Sequence, residues 1–250
     1  MIKVQGICKS FGDKVVLNQF SSTFEQGKIN LIIGKSGSGK TMAIKCMLGL
    51  HAIDSGDIFF NNQDFIRISN SDKKELRKEI GVVFQGSALF DSMTIEENVM
   101  FPLAMSSKMS FSKMKDRVEF CLNRVDLDGV CNLFPSELSG GMQKRVAIAR
   151  AIVLNPKYLF CDEPNSGLDP TTATVIDNLL KEITYEYNIT TVINTHDMNS
   201  VIEIGDNVIF IQDGNTVWSG SGDNFLHSKS KKLNEFIFSS KLFRELKSIK

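Results

Sequence analysis

Apolar and polar positions change period several times along this chain. Between Val4 and Phe24 they alternate, with a break at Phe11-Gly12-Asp13, which predicts short antiparallel strands joined by a tight turn. KINLIIG, residues 28–34, is a short apolar run of strand length and predicts a buried strand. TMAIKCMLGL then predicts a helix that ends at a glycine. IFF, residues 58–60, with Asn61-Asn62 behind it, predicts a strand and turn. KKELRKE predicts a polar helix, and IGVVFQ, residues 80–85, a strand that closes on Gln85.

From residue 86 to about 137 the pattern becomes helical. Thr94 and Glu97 stand at capping-box spacing before ENVMF, and Pro102 is expected to end or kink that helix. Ser110 is placed to cap a second helix, with Met114, Val118, Cys121, Leu122 and Val125 on one face. The alternation then resumes as helix 141–154, strand 158–161, helix 171–187 and strand 190–194. NVIFIQ and TVWSG flank an Asp213-Gly214-Asn215 turn. Helices alternating with buried strands imply an α/β chain with a largely parallel sheet covered on both faces, interrupted by a helical lobe.

Composition changes this picture little. A chain of 250 residues is one large domain, or a domain with a lobe. Lys+Arg and Asp+Glu balance at 29 each, which speaks against a nucleic-acid binder. The charge is uneven, however: from Leu226 onward seven Lys/Arg face two Glu. In that tail Leu233, Phe236, Ile237, Phe243 and Leu246 fit one helical face. Three readings stand for it: a helix on its own core, a contact with a second protomer or a regulator, or a surface for acidic headgroups. Five scattered cysteines with no CxxC pair are expected to be reduced, buried thiols of a cytosolic protein. No apolar run is long enough to span a bilayer, and the N-terminus lacks the apolar core of a signal peptide. Any work at a membrane is therefore expected to go through a partner that spans it.

The candidate chemistry lies at strand ends. Gly34-x4-Gly39-Lys40-Thr41 follows a strand and opens a helix, the pattern of a phosphate-binding loop. Its glycines let backbone N–H groups curl around phosphate oxygens, Lys40 reaches the β- and γ-phosphates, and the Thr41 hydroxyl suits Mg²⁺. YLFCDEP places Asp162 at the end of a central strand, suited to holding Mg²⁺ through water, and Glu163 beside it, suited to taking a proton from attacking water. Gln85 and His196 each close another apolar strand. Three strand ends are therefore expected to present Gln85, Asp162/Glu163 and His196 to one cleft. LSGGMQKR, residues 138–145, supplies a capping Ser139 and bare N–H groups at Gly140 and Gly141, either a second anion site or an ordinary capped helix start.

Taken in order, GKSGSGKT, FQ, LSGGMQKR, YLFCDEP, SGLD and THD resemble the nucleotide-binding subunit of ABC transporters, over about residues 1–225. The resemblance implies a RecA-like P-loop core, an antiparallel β subdomain and an inserted helical subdomain at about 86–145, followed by a basic amphipathic extension at 226–250. It implies ATP and Mg²⁺ as cofactors and a homodimer sandwiching two ATP molecules. Gly34, Lys35, Ser36, Gly37, Ser38, Gly39, Lys40 and Thr41 would hold ATP, with Phe11 stacked on adenine where the family more often has tyrosine. Ser139, Gly140 and Gly141 would reach the γ-phosphate across the dimer, and Asp169 would link the two sites. Thr41, Gln85 and Asp162 would serve Mg²⁺, and Glu163, His196 and Gln85 catalysis.

GSALFDSMTIEENVMFPL and PSELSGGM are similar, more narrowly, to the maintenance-of-lipid-asymmetry (Mla) ATPases and their chloroplast relatives. KKLNEFI is only loosely like that group's C-terminal extension. The narrower resemblance implies phospholipid transport through a membrane permease at the cytoplasmic face of the inner membrane. Leu89, Phe90 and Met93 would dock the permease, and a lipid-binding MCE protein and a STAS-type regulator are possible further partners. Two rivals remain open: an importer ATPase for a small polar solute, and a soluble ABC ATPase acting on ribosomes or DNA. The single ATPase unit and the balanced charge disfavour the second.

Overall fold

The computed structural model describes residues 1–238. The alternating N-terminus becomes β1 (Ile2–Phe11) and β2 (Lys14–Phe24), followed by β3 (Ile29–Ile33), α1 (Lys40–Met47), β4 (Ser55–Phe60) and β5 (Gln63–Asp64). Next come α2 (Asn70–Lys78), β6 (Ile80–Val83), α3 (Ile95–Ser106) and α4 (Phe111–Arg124). A 3-10 turn at Pro135–Glu137 leads into α5 (Gly140–Ile152), β7 (Tyr158–Asp162) and α6 (Pro170–Glu186). The chain closes with β8 (Thr190–Thr195), α7 (Met198–Ile204), β9 (Asn207–Gln212), β10 (Asn215–Ser221), α8 (Gly222–Phe225) and α9 (Lys231–Ile237). These elements form two compact units: residues 1–68 together with those from Val192 onward, and Ser69–Thr191.

In the first unit, one sheet runs β2-β1-β4-β5 and a second runs β10-β9-β3-β8. β1 pairs antiparallel with both β2 and β4, so its inward positions Ile2, Val4 and Ile7 meet Phe20, Phe24, Ile58 and Phe60 in a buried cluster. β3 is buried along its whole length and pairs in parallel with β9, as a strand covered on both faces should. α9 turns Leu233 and Ile237 inward, and Phe236 stacks on Phe210 at 5.0 Å. For residues 231–237 the tail is thus a helix packed on its own unit; Phe243 and Leu246 lie outside the described residues.

In the second unit, β6 and β7 pair in parallel, from Ile80 opposite Tyr158 to Val83 opposite Cys161. α3, α4 and α5 pack together, and α5 also lies against β6. Buried Val99, Leu103, Val118, Cys121, Leu122, Val146 and Ile148 fill the space between these helices. The last carbonyls of α5 need partners, and Arg117 supplies them, donating to Ile152 and Val153 oxygens at 3.0 Å each. Arg124 ties α4 to α6 through Glu182 at 3.3 Å and Glu186 at 2.7 Å.

The expected α/β class, with parallel pairing, is the class observed. Several local expectations need correction. β6 stops at Val83, so Gln85 sits two residues beyond the strand rather than on its last position. Of the two outcomes expected at Pro102, an end or a kink, the end does not occur: α3 runs on to Ser106. Buried Val99 and Leu103 flank the proline, and that packing outweighs the lost backbone bond. Ser110 is the N-cap residue of α4, but its side chain makes no capping bond. All five cysteines are free, yet Cys8 and Cys131 are only half-buried.

Candidate functional site

In the first unit, the chain leaves β3 at Ile33 and winds through residues 34–39 into α1. Gly39 is the N-cap of α1 and stands at φ 108°, where an added Cβ would lie 2.8 Å from the Val16 carbonyl oxygen. Glycine has no side chain to cap with, and no acidic residue sits in the first turn of α1, so its leading N–H groups keep their positive field. Lys40 is buried and curls back over the loop, donating to the Gly34 oxygen at 2.9 Å and the Lys35 oxygen at 3.2 Å. The Ser38 hydroxyl is buried and without a hydrogen-bond partner among the described residues. An unpaired buried donor beside bare N–H groups fits a polyphosphate, whose oxygens accept such bonds. The Thr41 hydroxyl, next in line, accepts from the Asn194 amide at 3.3 Å.

Two other predicted residues belong to this unit. Phe11 is the exposed last residue of β1, with its ring edge-on to His51 at 5.6 Å. His196 is exposed just past β8. The neighbouring Asp197 caps α7 by accepting from the Asn199 N–H at 2.9 Å.

In the second unit the acid pair lies at the end of β7. Asp162 is the last strand residue, and Glu163 follows in a left-handed conformation at φ 46°. A non-glycine residue held there carries strain that the surroundings must impose, and such strain collects at functional sites. Gln85 donates its side-chain N–H to the Glu163 carboxylate at 3.1 Å and to the Ser166 hydroxyl at 3.3 Å. The structure therefore brings together two of the residues predicted to act on water. Asp169 caps α6, accepting from the Thr172 hydroxyl at 2.5 Å and the Thr172 N–H at 3.0 Å. Those bonds hold its carboxyl below the usual carboxylate range.

LSGGMQKR forms the start of α5. Ser139 is the N-cap, accepting from the Met142 N–H at 3.3 Å. Gly140 and Gly141, which carry no side chain of their own, form the first turn. Of the three residues predicted to dock a permease, Leu89 and Met93 are half-buried and Phe90 is 41% exposed. Phe90 rests on Phe101 at 4.9 Å between ring centroids.

Three residues that the sequence reading passed over hold these loops. Buried Asn98 accepts from the Phe90 N–H at 2.8 Å and donates to the Phe90, Met93 and Thr94 oxygens at 3.1, 3.1 and 3.0 Å. Arg150 donates to the Ser87 and Ala88 oxygens at 2.7 and 2.8 Å. Lys144 is buried and donates to the Gln85 backbone oxygen. Burial pushes its ammonium below the usual lysine range, while Cys161, Asp162 and Glu163 nearby oppose that shift. The available signal was a cation on the apolar face of a helix.

A glycine loop with its lysine between strand and helix, and an acid pair closing a second strand, define a P-loop nucleoside-triphosphate hydrolase. The family model described as "ABC transporter" matches residues 17–166, and the chain belongs to that family of ATPases. It is 35% identical to the intermembrane phospholipid transport system ATP-binding protein MlaF of Haemophilus influenzae, over 95% of this chain and 90% of that one. It is also 35% identical to the methionine import ATP-binding protein MetN of Campylobacter jejuni, over 98% of this chain and 78% of that one. Among solved structures it is similar to the ATP-binding cassette MJ0796, in a dimeric post-hydrolysis state bound to ADP and Pi. That match has a TM-score of 0.80 at 30% identity and covers 88% of this chain and 98% of the other.

Proposed function

We propose that this ATPase energises phospholipid movement through a separate membrane permease, working as a homodimer at the cytoplasmic face of the inner membrane. The observation that carries the reading is the match to MlaF along almost the full length of both chains. The segment GSALFDSMTIEENVMFPL, similar to the Mla group, adds to it. Among the described residues no helix is long and apolar enough to cross a membrane. The dimer is inferred from the dimeric MJ0796 cassette. Phe90, exposed in the loop after Gln85, offers the permease an aromatic anchor, and half-buried Leu89 and Met93 add apolar surface to it.

In this reading the loop Gly34–Gly39, Lys40 and the start of α1 hold the phosphates of ATP, and Phe11 stacks on adenine. The oxygen donors offered to a metal, the Thr41 hydroxyl, the Gln85 amide and the Asp162 carboxylate through water, suit a hard cation such as Mg²⁺. Held by those residues, Mg²⁺ would supply positive charge against the negative charge that develops on the transferred phosphate. Glu163 takes the proton of the attacking water, Gln85 orients it and His196 assists at the γ-phosphate. Ser139, Gly140 and Gly141 contact the γ-phosphate bound by the other protomer, and Asp169 joins the two sites. An MCE protein and a STAS-type regulator would complete the assembly.

The comparable match to MetN supports a second reading, import of a small polar solute. Purifying the chain with its permease from gently solubilised membranes separates the two. Phospholipid held by the complex and raising its ATPase rate is the expected result. Stimulation by methionine or another polar solute, with no bound lipid, favours the second reading.

A further inference from the structure

Lys144 stands out among the ionisable groups that the proposed chemistry leaves unused. It lies one turn into α5 and is only 5% exposed. Among the described residues it makes no ion pair within 4.0 Å, and its hydrogen bond goes to a neutral group, the Gln85 backbone oxygen. A buried ammonium without a close counter-ion is costly, and an apolar side chain of similar size would fill the same space without that cost. Its placement therefore calls for an account beyond packing.

The account lies in the loop it holds. Residues 84–88 leave β6 without continuing the sheet, and Ser87 and Ala88 both adopt left-handed backbone, at φ 61° and 50°. Such a loop has few backbone bonds of its own to fix Gln85. α5 provides the missing restraint: Lys144 binds the Gln85 oxygen, and Arg150, further along the helix, binds the Ser87 and Ala88 oxygens. With its backbone pinned, Gln85 reaches Glu163 at 3.1 Å through its side chain.

We propose that Lys144 is a positioning residue for ATP hydrolysis: it clamps the Gln85 backbone so that the Gln85 amide orients the Glu163 carboxylate. The inference rests on the reading of Glu163 as the base, and it makes α5 a strut between the Ser139-Gly140-Gly141 turn and the Gln85–Glu163 pair. Arg150 holds the loop's shape, while Lys144 sets the position of Gln85 itself.

The test compares Lys144→Met, Lys144→Arg and Glu163→Gln in the full chain with ATP and Mg²⁺. Lys144→Met is expected to lower kcat about tenfold, the effect of losing one charge-assisted hydrogen bond, with KM and ATP affinity changed by less than about twofold. Backbone amides of residues 84–90 should exchange hydrogen faster in that variant. Lys144→Arg, which keeps a donor for the same oxygen, should restore most of the rate. Wild-type kcat in Lys144→Met, or unchanged exchange at 84–90, overturns the clamp. If Lys144→Met does not fold, Lys144→Gln is measured instead, with the same expected results and the same overturning ones. Glu163→Gln should abolish turnover and leave exchange at 84–90 slow. Turnover surviving in that variant removes Glu163 as base, a failure separate from that of the clamp.

Discussion

Two glycine-marked helix starts, those of α1 and α5, are built differently. α1 opens on Gly39, which offers no capping side chain, and the lysine after it folds back over its own loop. α5 opens on Ser139, whose hydroxyl satisfies the Met142 N–H. The first start leaves its donors to a ligand and is complete only with one. The second is already capped and keeps just the short glycine turn open. The contrast suits a loop that binds nucleotide on its own chain and a turn that meets nucleotide only when another chain presents it.

Three substitutions probe that contrast. Lys40→Ala should have the largest effect, weakening ATP binding about a hundredfold because a buried charged donor is lost; nucleotide titration measures it. Gly141→Ala should leave ATP binding intact yet reduce turnover by about tenfold. Its added Cβ would meet the Thr172 methyl at 2.6 Å, a side chain that can move, so the helix itself should survive. A matching loss of ATP binding in Gly141→Ala would erase the distinction between the two starts. Ser139→Ala should have the smallest effect, a reduction of turnover smaller than that of Gly141→Ala with ATP binding intact, together with about 1 kcal/mol of stability lost with the cap, read in a urea melt.

Much of this arrangement was legible in the sequence, because its signals are local. The Thr94–Glu97 capping box forms as its spacing predicted, with the Glu97 carboxylate accepting from the Thr94 N–H at 2.7 Å. The glycine loop sits between β3 and α1, and Asp162 closes β7. What escaped depends on contacts between distant residues. A proline looks like a helix end until buried Val99 and Leu103 are seen beside it. Gln85 looks like a strand end, because nothing in IGVVFQ shows that pairing with β7 stops at Val83. Lys144 looks like one more surface cation until the Gln85 oxygen appears opposite it. Spacing could nominate Gln85 and Glu163 separately, but their hydrogen bond depends on a clamp 59 residues from Gln85 in the chain.

In the proposed dimer the Ser139-Gly140-Gly141 turn of one chain serves ATP held by the Lys40 loop of another. Mixing full-length Lys40→Ala chains with full-length Gly141→Asp chains and measuring ATP hydrolysis tests it most directly, since each variant alone should be inactive. If the turn acts across a dimer, a mixed dimer has one intact site, pairing the unaltered Lys40 loop of one chain with the unaltered turn of the other, and hydrolysis returns on mixing. If the turn serves its own chain, both chains stay defective in every pairing, and a mixture as inactive as its parts would contradict the account.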